Sequence, residues 1–259
     1  MRSRAIVAGF ASRSRLVIAS CIVLITALAW AYLFRLDGQM SPASESMARM
    51  GMAMDSPWSA RDFVFTFIMW SVMMVGMMSP SATPVLVLFS EMGASRGDRQ
   101  ASAKSILFGA GHISVWIAFS AVAALLQWTL HQGASLSPEM AVTSSRIAGI
   151  ILTGAGAYQL SPWKGACLKR CQSPIGFLLS NWREGKKGAV ELGLRHGLYC
   201  LGCCWALMLV LFVVGVMNLA WVAALTVFVL AEKFGPLGTW VSRAGGVSMI
   251  AGGLLLLMK

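Results

Sequence analysis

Residues 65–89 read FTFIMWSVMMVGMMSPSATPVLVLF, a run without a single Asp, Glu, Lys or Arg. A helix needs about 20 mostly apolar residues to cross the roughly 30 Å hydrocarbon core of a bilayer. This run is long enough, and it sets the class of fold for the rest of the chain. It also contains Pro80 and Pro84. Each removes a backbone donor and tends to kink or break a helix. In a membrane such a break is tolerated where neighbouring protein or a polar cavity satisfies the freed groups. Ser79, Ser81 and Thr83 supply polar atoms at that depth.

The same pattern extends in both directions. The 259 residues are 57% hydrophobic and 12% charged, against about 25% charged in an average soluble domain. Apolar blocks recur near residues 16–36, 62–89, 104–128, 143–162, 199–217, 219–233 and 239–257. The expected fold is all-α, a polytopic transmembrane helix bundle of about seven spans forming one membrane domain over residues 1–259. Helices follow because a backbone in lipid must satisfy its own hydrogen bonds. Two longer connections stand out, a methionine-rich outer loop at 37–61 and a basic cytoplasmic segment at 163–198. No internal repeat is visible that would indicate an inverted-repeat transporter.

The net charge of +11 would suggest nucleic acid on a soluble protein. Here the basic residues alternate with the spans. Arg2, Arg4, Arg13 and Arg15 precede the first block, Arg96, Arg99 and Lys104 follow the second, and a third group runs from Lys164 to Arg195. By the positive-inside rule this places the N-terminus in the cytoplasm and the C-terminus outside. The expected location is a bacterial cytoplasmic membrane, with lipid and not nucleic acid as the surroundings. The first block ends LAWAYLFRLDG, without a small-x-small cleavage site, and reads as a retained span.

The chemistry lies in sulfur. Residues 195–208 read RHGLYCLGCCWALM. At roughly 100° per residue, Cys200, Cys203 and Cys204 share one helix face, with His196 a turn before and Met208 a turn after. Upstream, YQLSPWKGACLKRCQSP places Cys167 and Cys171 one turn apart, on the same side of the membrane by the charge rule. Cytoplasmic thiols are normally reduced, which disfavours structural disulfides and favours metal binding or redox work. Basic neighbours such as Lys164, Lys169, Arg170 and Arg195 are expected to favour thiolates. Soft sulfur donors suit copper(I), zinc or iron–sulfur clusters, and imidazole suits zinc and copper. Cys21, alone in the first block, reads as a small hydrophobe.

Methionine adds a second signal. Met40, Met47, Met50, Met52 and Met54 crowd the outer loop. Met69, Met73 and Met77 form a stripe down the second block, with Met74 and Met78 beside it. Thioethers suit copper(I), although methionine is also a flexible core filler. His112 lies inside the third block, and ionisable residues at that depth are candidates for function. Glu232 at a helix C-terminus opposes the helix dipole and requires a partner, Lys233 or a basic neighbour. There is no nucleotide-binding glycine loop and no acid–base pair placed for hydrolysis. No catalytic residue is assigned, and the residues point away from an enzyme.

Three stretches together, WSVMMVGMMSPSATP at 70–84, GAYQLSPWKGACLKRCQSP at 156–174 and HGLYCLGCCWALM at 196–208, resemble a bacterial membrane family. It is known as domain of unknown function 2182 and described as predicted metal-binding integral membrane proteins. The resemblance runs from about residue 58 to the C-terminus. It implies a metal site on Cys167, Cys171, Cys200, Cys203 and Cys204, and less directly on the methionines. Gly76 and Ser79 depart from the family pattern in the methionine–proline stretch.

The expectation is therefore binding of a soft transition metal, copper(I) foremost and zinc as the alternative ion. Its transport or delivery across the cytoplasmic membrane would be the purpose of binding. The ligand set is Cys167, Cys171, Cys200, Cys203, Cys204, His196, Met208, Met73 and Met77. A metallochaperone or another membrane subunit would be the protein partner. The competing reading is a membrane thiol–disulfide oxidoreductase using the two cysteine groups. A structural subunit of a larger complex is a third.

Overall fold

The computed structural model describes residues 2–49, 59–98, 100–132, 141–235 and 237–258, with the side chains of the first helix described over 15–39. Nine helices and no extended sheet are found among them: α1 (Arg2–Arg49), α2 (Ala60–Ser95), α3 (Ala101–Gln132), α4 (Ser145–Gln159), α5 (Pro162–Gln172), α6 (Pro174–Asn181), α7 (Gly185–Val214), α8 (Leu219–Phe234) and α9 (Gly238–Leu257). The all-α expectation holds. The chain is read as a multi-pass membrane protein.

All seven apolar blocks are helical, and among the described residues five helices are long and apolar enough to cross a membrane, so the expected count of about seven spans is not confirmed. The five are Arg15–Gln39 within α1, then α2, α3, α7 and α9. α4 and α8 have 15 and 16 residues. At 1.5 Å per residue they are about 22 and 24 Å long, short of the roughly 30 Å hydrocarbon core. Their ends are set locally. The Ser161 hydroxyl accepts the Lys164 N–H to start α5, with Pro162 as its first residue, and Gly235 closes α8.

The second apolar block is not broken. α2 runs through both Pro80 and Pro84. Hydroxyls take up backbone carbonyls there: Ser81 donates to Met78 O at 2.8 Å and Thr83 to Ser79 O at 3.5 Å. The α1 backbone continues into the first part of the methionine-rich stretch, as far as Arg49. Its alanine, methionine and glutamate are good helix formers. Met50, Met52 and Met54 lie outside the described residues, as do the side chains of Met40 and Met47.

α2 packs antiparallel to α1 and α3. Arg15 meets Glu91 at 2.5 Å while Ala29 sits against Gly76, and Trp70 Nε1 donates to the Gln127 side chain at 2.6 Å. α7 runs parallel to α3, and α9 antiparallel to α4, both through glycine. Gly193 lies so close to the Phe108 carbonyl that a methyl group there would overlap it, and Gly149 and Gly156 of α4 meet Gly253 and Gly246 of α9 in the same way. Small residues of this kind let membrane helices approach backbone to backbone. Gly193→Ala is therefore expected to destabilise by about 1–3 kcal/mol through overpacking. Gly154→Ala, with nothing within 4 Å of an added methyl, should be neutral or mildly stabilising. Thermal unfolding of the two variants in mild detergent checks the contrast.

Candidate functional site

α7 starts at Gly185, inside the segment 163–198 read from sequence as basic and cytoplasmic. Gly188, Ala189, Leu192 and Gly193 are buried along it. Cys200, Cys203 and Cys204 thus stand about halfway along a 30-residue helix. All three are buried, at 0%, 1% and 1% exposure. Trp205 turns away, as the helix geometry requires, and packs edge-on against Tyr158 with ring centroids 5.0 Å apart.

The sulfur atoms gather on one turn. Cys203 Sγ lies 3.2 Å from Cys204 Sγ and 4.0 Å from Cys171 Sγ on α5. Cys203 also donates to the Cys200 carbonyl at 3.1 Å. Cys200 itself turns toward a different group. Lys233, from the end of α8, places its Nζ 3.0 Å from Cys200 Sγ and 3.0 Å from Ser81 Oγ on α2. An ammonium thus sits inside the thiol layer, in an apolar interior where a charge requires a partner. Cys167 faces the same layer: its sulfur lies over Gly202, where an added methyl would overlap it. Burial pushes the Cys167 thiol up, against the expectation that basic neighbours would lower it. None of these five cysteines is joined in a disulfide, and Cys21 is exposed on α1.

The methionine stripe joins the same core. Met69, Met73, Met74, Met77 and Met78 of α2 and Met208 of α7 are each no more than 1% exposed, in one packed cluster with Cys200, Cys203 and Cys204. His196 goes elsewhere. Its Nδ1 lies 3.1 Å from Nδ1 of His112 on α3, and the His112 Nε2 has no hydrogen-bond partner. The structure thus brings Cys171 and Cys204 each within 4.0 Å of Cys203. It places Cys167, Cys200, Met73, Met77 and Met208 around them, and pairs His196 with a second histidine. Among the described residues, no group of three or more His, Cys, Asp or Glu side chains is already shaped around one point as a metal cage. The thiols stand instead as a hydrogen-bonded group.

Beneath this layer is an ion pair that the sequence reading did not assemble. Lys164 Nζ contacts both carboxylate oxygens of Glu232 at 2.8 Å and the Gln159 Oε1 at 2.6 Å. Both partners are 1% exposed. The Gln159 amide donates to Glu232, and Gln172 donates to the Glu232 carbonyl at 2.8 Å. The partner expected for Glu232 is therefore Lys164, and the adjacent Lys233 is given to the thiols. α4, α5 and α8 all meet at this point, so the pair fixes the helix that carries Cys167 and Cys171. The signal in the sequence was the dipeptide Glu232–Lys233 at the end of an apolar block.

These donors are soft, buried and few, a chemistry that selects copper(I) and zinc over harder ions. A family model described as PpoB2, copper chaperone, matches residues 67–256. The chain belongs to that copper chaperone family. The matched segment contains every cysteine of the thiol layer, Lys233, both core histidines and the methionine stripe. The match supports a copper-related family, and does not itself carry the numbered family name suggested by the sequence motifs. No curated protein and no solved structure matches the chain.

Proposed function

We propose that this protein is a membrane copper(I)-binding protein that takes the ion onto the thiol layer of α7 and α5 and passes it along the bundle. The observation that carries the reading is the place of Cys203 Sγ, 3.2 Å from Cys204 Sγ and 4.0 Å from Cys171 Sγ, in a core that also holds the methionines of α2 and Met208. Thiolates and thioethers are the ligands that favour copper(I) over harder ions. The family description, copper chaperone, supports the ion. The five buried thioethers of α2 offer weak sites along the core, and the cysteines offer the tight end. With the charge rule placing the basic end in the cytoplasm, ligand strength rises inward. That order suits uptake or delivery.

Lys233 has a definite part in this account. Two thiolates holding one copper(I) carry a net negative charge, and an ammonium 3.0 Å from Cys200 Sγ offsets it. An uncompensated charge in a buried site costs several kcal/mol. Lys233→Met is expected to weaken copper(I) binding by about a hundredfold. The measurement is competition against a chromogenic copper(I) chelator, on protein prepared without oxygen in mild detergent. Wild type should bind about one equivalent by this assay, and failure to compete for any copper would refute the proposal.

One observation favours the oxidoreductase reading, the 4.0 Å approach of Cys203 Sγ to Cys171 Sγ across two helices. Disulfide exchange would require this pair to cycle. The two readings part on thiol titration of the copper-loaded protein. Copper binding keeps the thiols reduced, whereas exchange consumes them two at a time.

A further inference from the structure

The thiol layer reaches the surface through α5. Cys200, Cys203 and Cys204 are buried, whereas Cys167 and Cys171 are half-buried. Cys171 Sγ stands 4.0 Å from Cys203 Sγ, and the Cys167 sulfur lies over Gly202. An ion leaving Cys203 on this side meets the Cys171 sulfur next.

The outer face of α5 is aromatic and basic. Trp163 is 75% exposed, and Ala166, Lys169 and Arg170 are exposed along the next two turns. Spacings of three and seven put Trp163, Ala166 and Arg170 on one stripe, with Lys169 beside it. The charges there do not balance. From Leu160 to Arg183 the chain holds Lys164, Lys169, Arg170 and Arg183, and no Asp or Glu. Lys164 is taken by both carboxylate oxygens of Glu232, and Arg183 pairs with Glu191. Lys169 and Arg170 form no ion pair among the described residues. The Arg170 guanidinium carbon is 5.9 Å from the Tyr199 ring, next in sequence to Cys200. Two uncompensated cations and an exposed tryptophan thus border two half-buried thiols.

We propose that this face of α5 is the docking surface for an acidic, thiol-bearing protein that exchanges copper(I) with Cys171 and Cys167. Such a partner presupposes the copper(I) reading above. Opposite charge steers two proteins into register, and tryptophan and arginine are common anchors of protein interfaces. A lipid headgroup would meet the charges but has no use for the thiols. Exchange moves no electron. A sulfur of the partner bonds to copper(I) as its proton leaves. The bond from copper to Cys171 then breaks, and the Cys171 thiolate takes up a proton. Copper stays monovalent throughout.

The probes are two synthetic peptides with the same Cys-x-x-Cys core, one flanked by glutamates and one by lysines. Each is loaded with copper(I) without oxygen and mixed with the full chain in non-ionic detergent, and copper per chain is followed against time. The acidic peptide should deliver about tenfold faster at low salt, and the advantage should vanish at high salt. Lys169→Glu with Arg170→Glu should reverse the order of the two peptides. Lys186→Glu with Lys187→Glu makes the same charge change on exposed residues of α7. It should leave the order as in wild type, because Lys187 lies about 24 Å from Cys203 along the helix, beyond the screening length. The salt dependence of the wild type needs no variant to fold. A chain that wins copper(I) from a chelator yet takes it from both peptides at one rate overturns the docking surface alone. A chain that takes copper from neither peptide nor chelator overturns the copper(I) reading with it. Phosphatidylglycerol retained in native mass spectrometry, and lost in the Lys169→Glu, Arg170→Glu variant, would show that lipid covers this face and would also overturn the proposal.

Discussion

Replacing Cys203 and Cys204 together by serine will weaken copper(I) binding by about a thousandfold or more. The two sulfurs are 3.2 Å apart and both face the core, so one copper(I) ion can bridge them with a small side-chain rotation. Serine keeps the volume and a hydrogen-bond donor but substitutes a hard oxygen for a soft sulfur, which is the property that selects copper(I). The helix should survive, because the face is packed by Leu207, Met208 and Leu211 as well. Cys21→Ser, on the exposed face of α1, should leave affinity unchanged. Chelator competition on the two variants, beside their melting temperatures, separates lost ligands from lost fold. Affinity unchanged in the double variant would remove the α7 cysteines from the site.

The largest effect on stability is expected at Glu232. Glu232→Leu strands the Lys164 ammonium at 1% exposure, with only the Gln159 oxygen left to it. Breaking a buried pair by removing one partner costs about 3–5 kcal/mol. For a chain of this size that corresponds to a fall of roughly 10 °C in Tm. Removing both charges together, in Glu232→Leu with Lys164→Met, should recover most of the loss, because apolar replacement of a buried pair is often neutral. The double variant also tests what the pair positions. If Lys164 fixes α5, copper(I) affinity should fall in the single variant along with stability and return only in part when both charges are gone.

Much of this architecture could be read from the sequence, and the reasons for the exceptions are physical. Apolar blocks locate helices well, and the runs at 143–162 and 219–233 are indeed helices. Hydropathy does not say where a helix stops, and Ser161 with Pro162 and Gly235 end α4 and α8 too early to cross a bilayer unaided. The start of α7 was hidden for a different reason. GKKGAVELGLRHG mixes charge with small residues and looks like a surface helix, whereas Gly193 and Gly197 serve to admit α3 at close range. A glycine's need for a neighbour is not visible until the neighbour is placed.

The site divides in the same way. The grouping of Cys200, Cys203 and Cys204 follows from the 3.6-residue period and needed no structure. Bringing Cys171 to Cys203 needed the fold, since the turn after α4 and the Lys164–Glu232 pair decide where α5 lies. Lys233 was legible as a charge in an apolar block, but its contact with Cys200 spans 33 residues and no periodicity encodes it. His196 shares the cysteine face by arithmetic, yet turns to His112, because α3 passes that side of α7.

The central claim is that copper(I) sits on sulfur in the middle of this bundle. The most direct test is X-ray absorption at the copper edge on the full chain, loaded with one equivalent of copper(I) without oxygen in mild detergent. The account predicts a first shell made only of sulfur, lost in the Cys203→Ser, Cys204→Ser variant. A first shell of nitrogen or oxygen in the wild-type protein, such as His112 and His196 would supply, would contradict it.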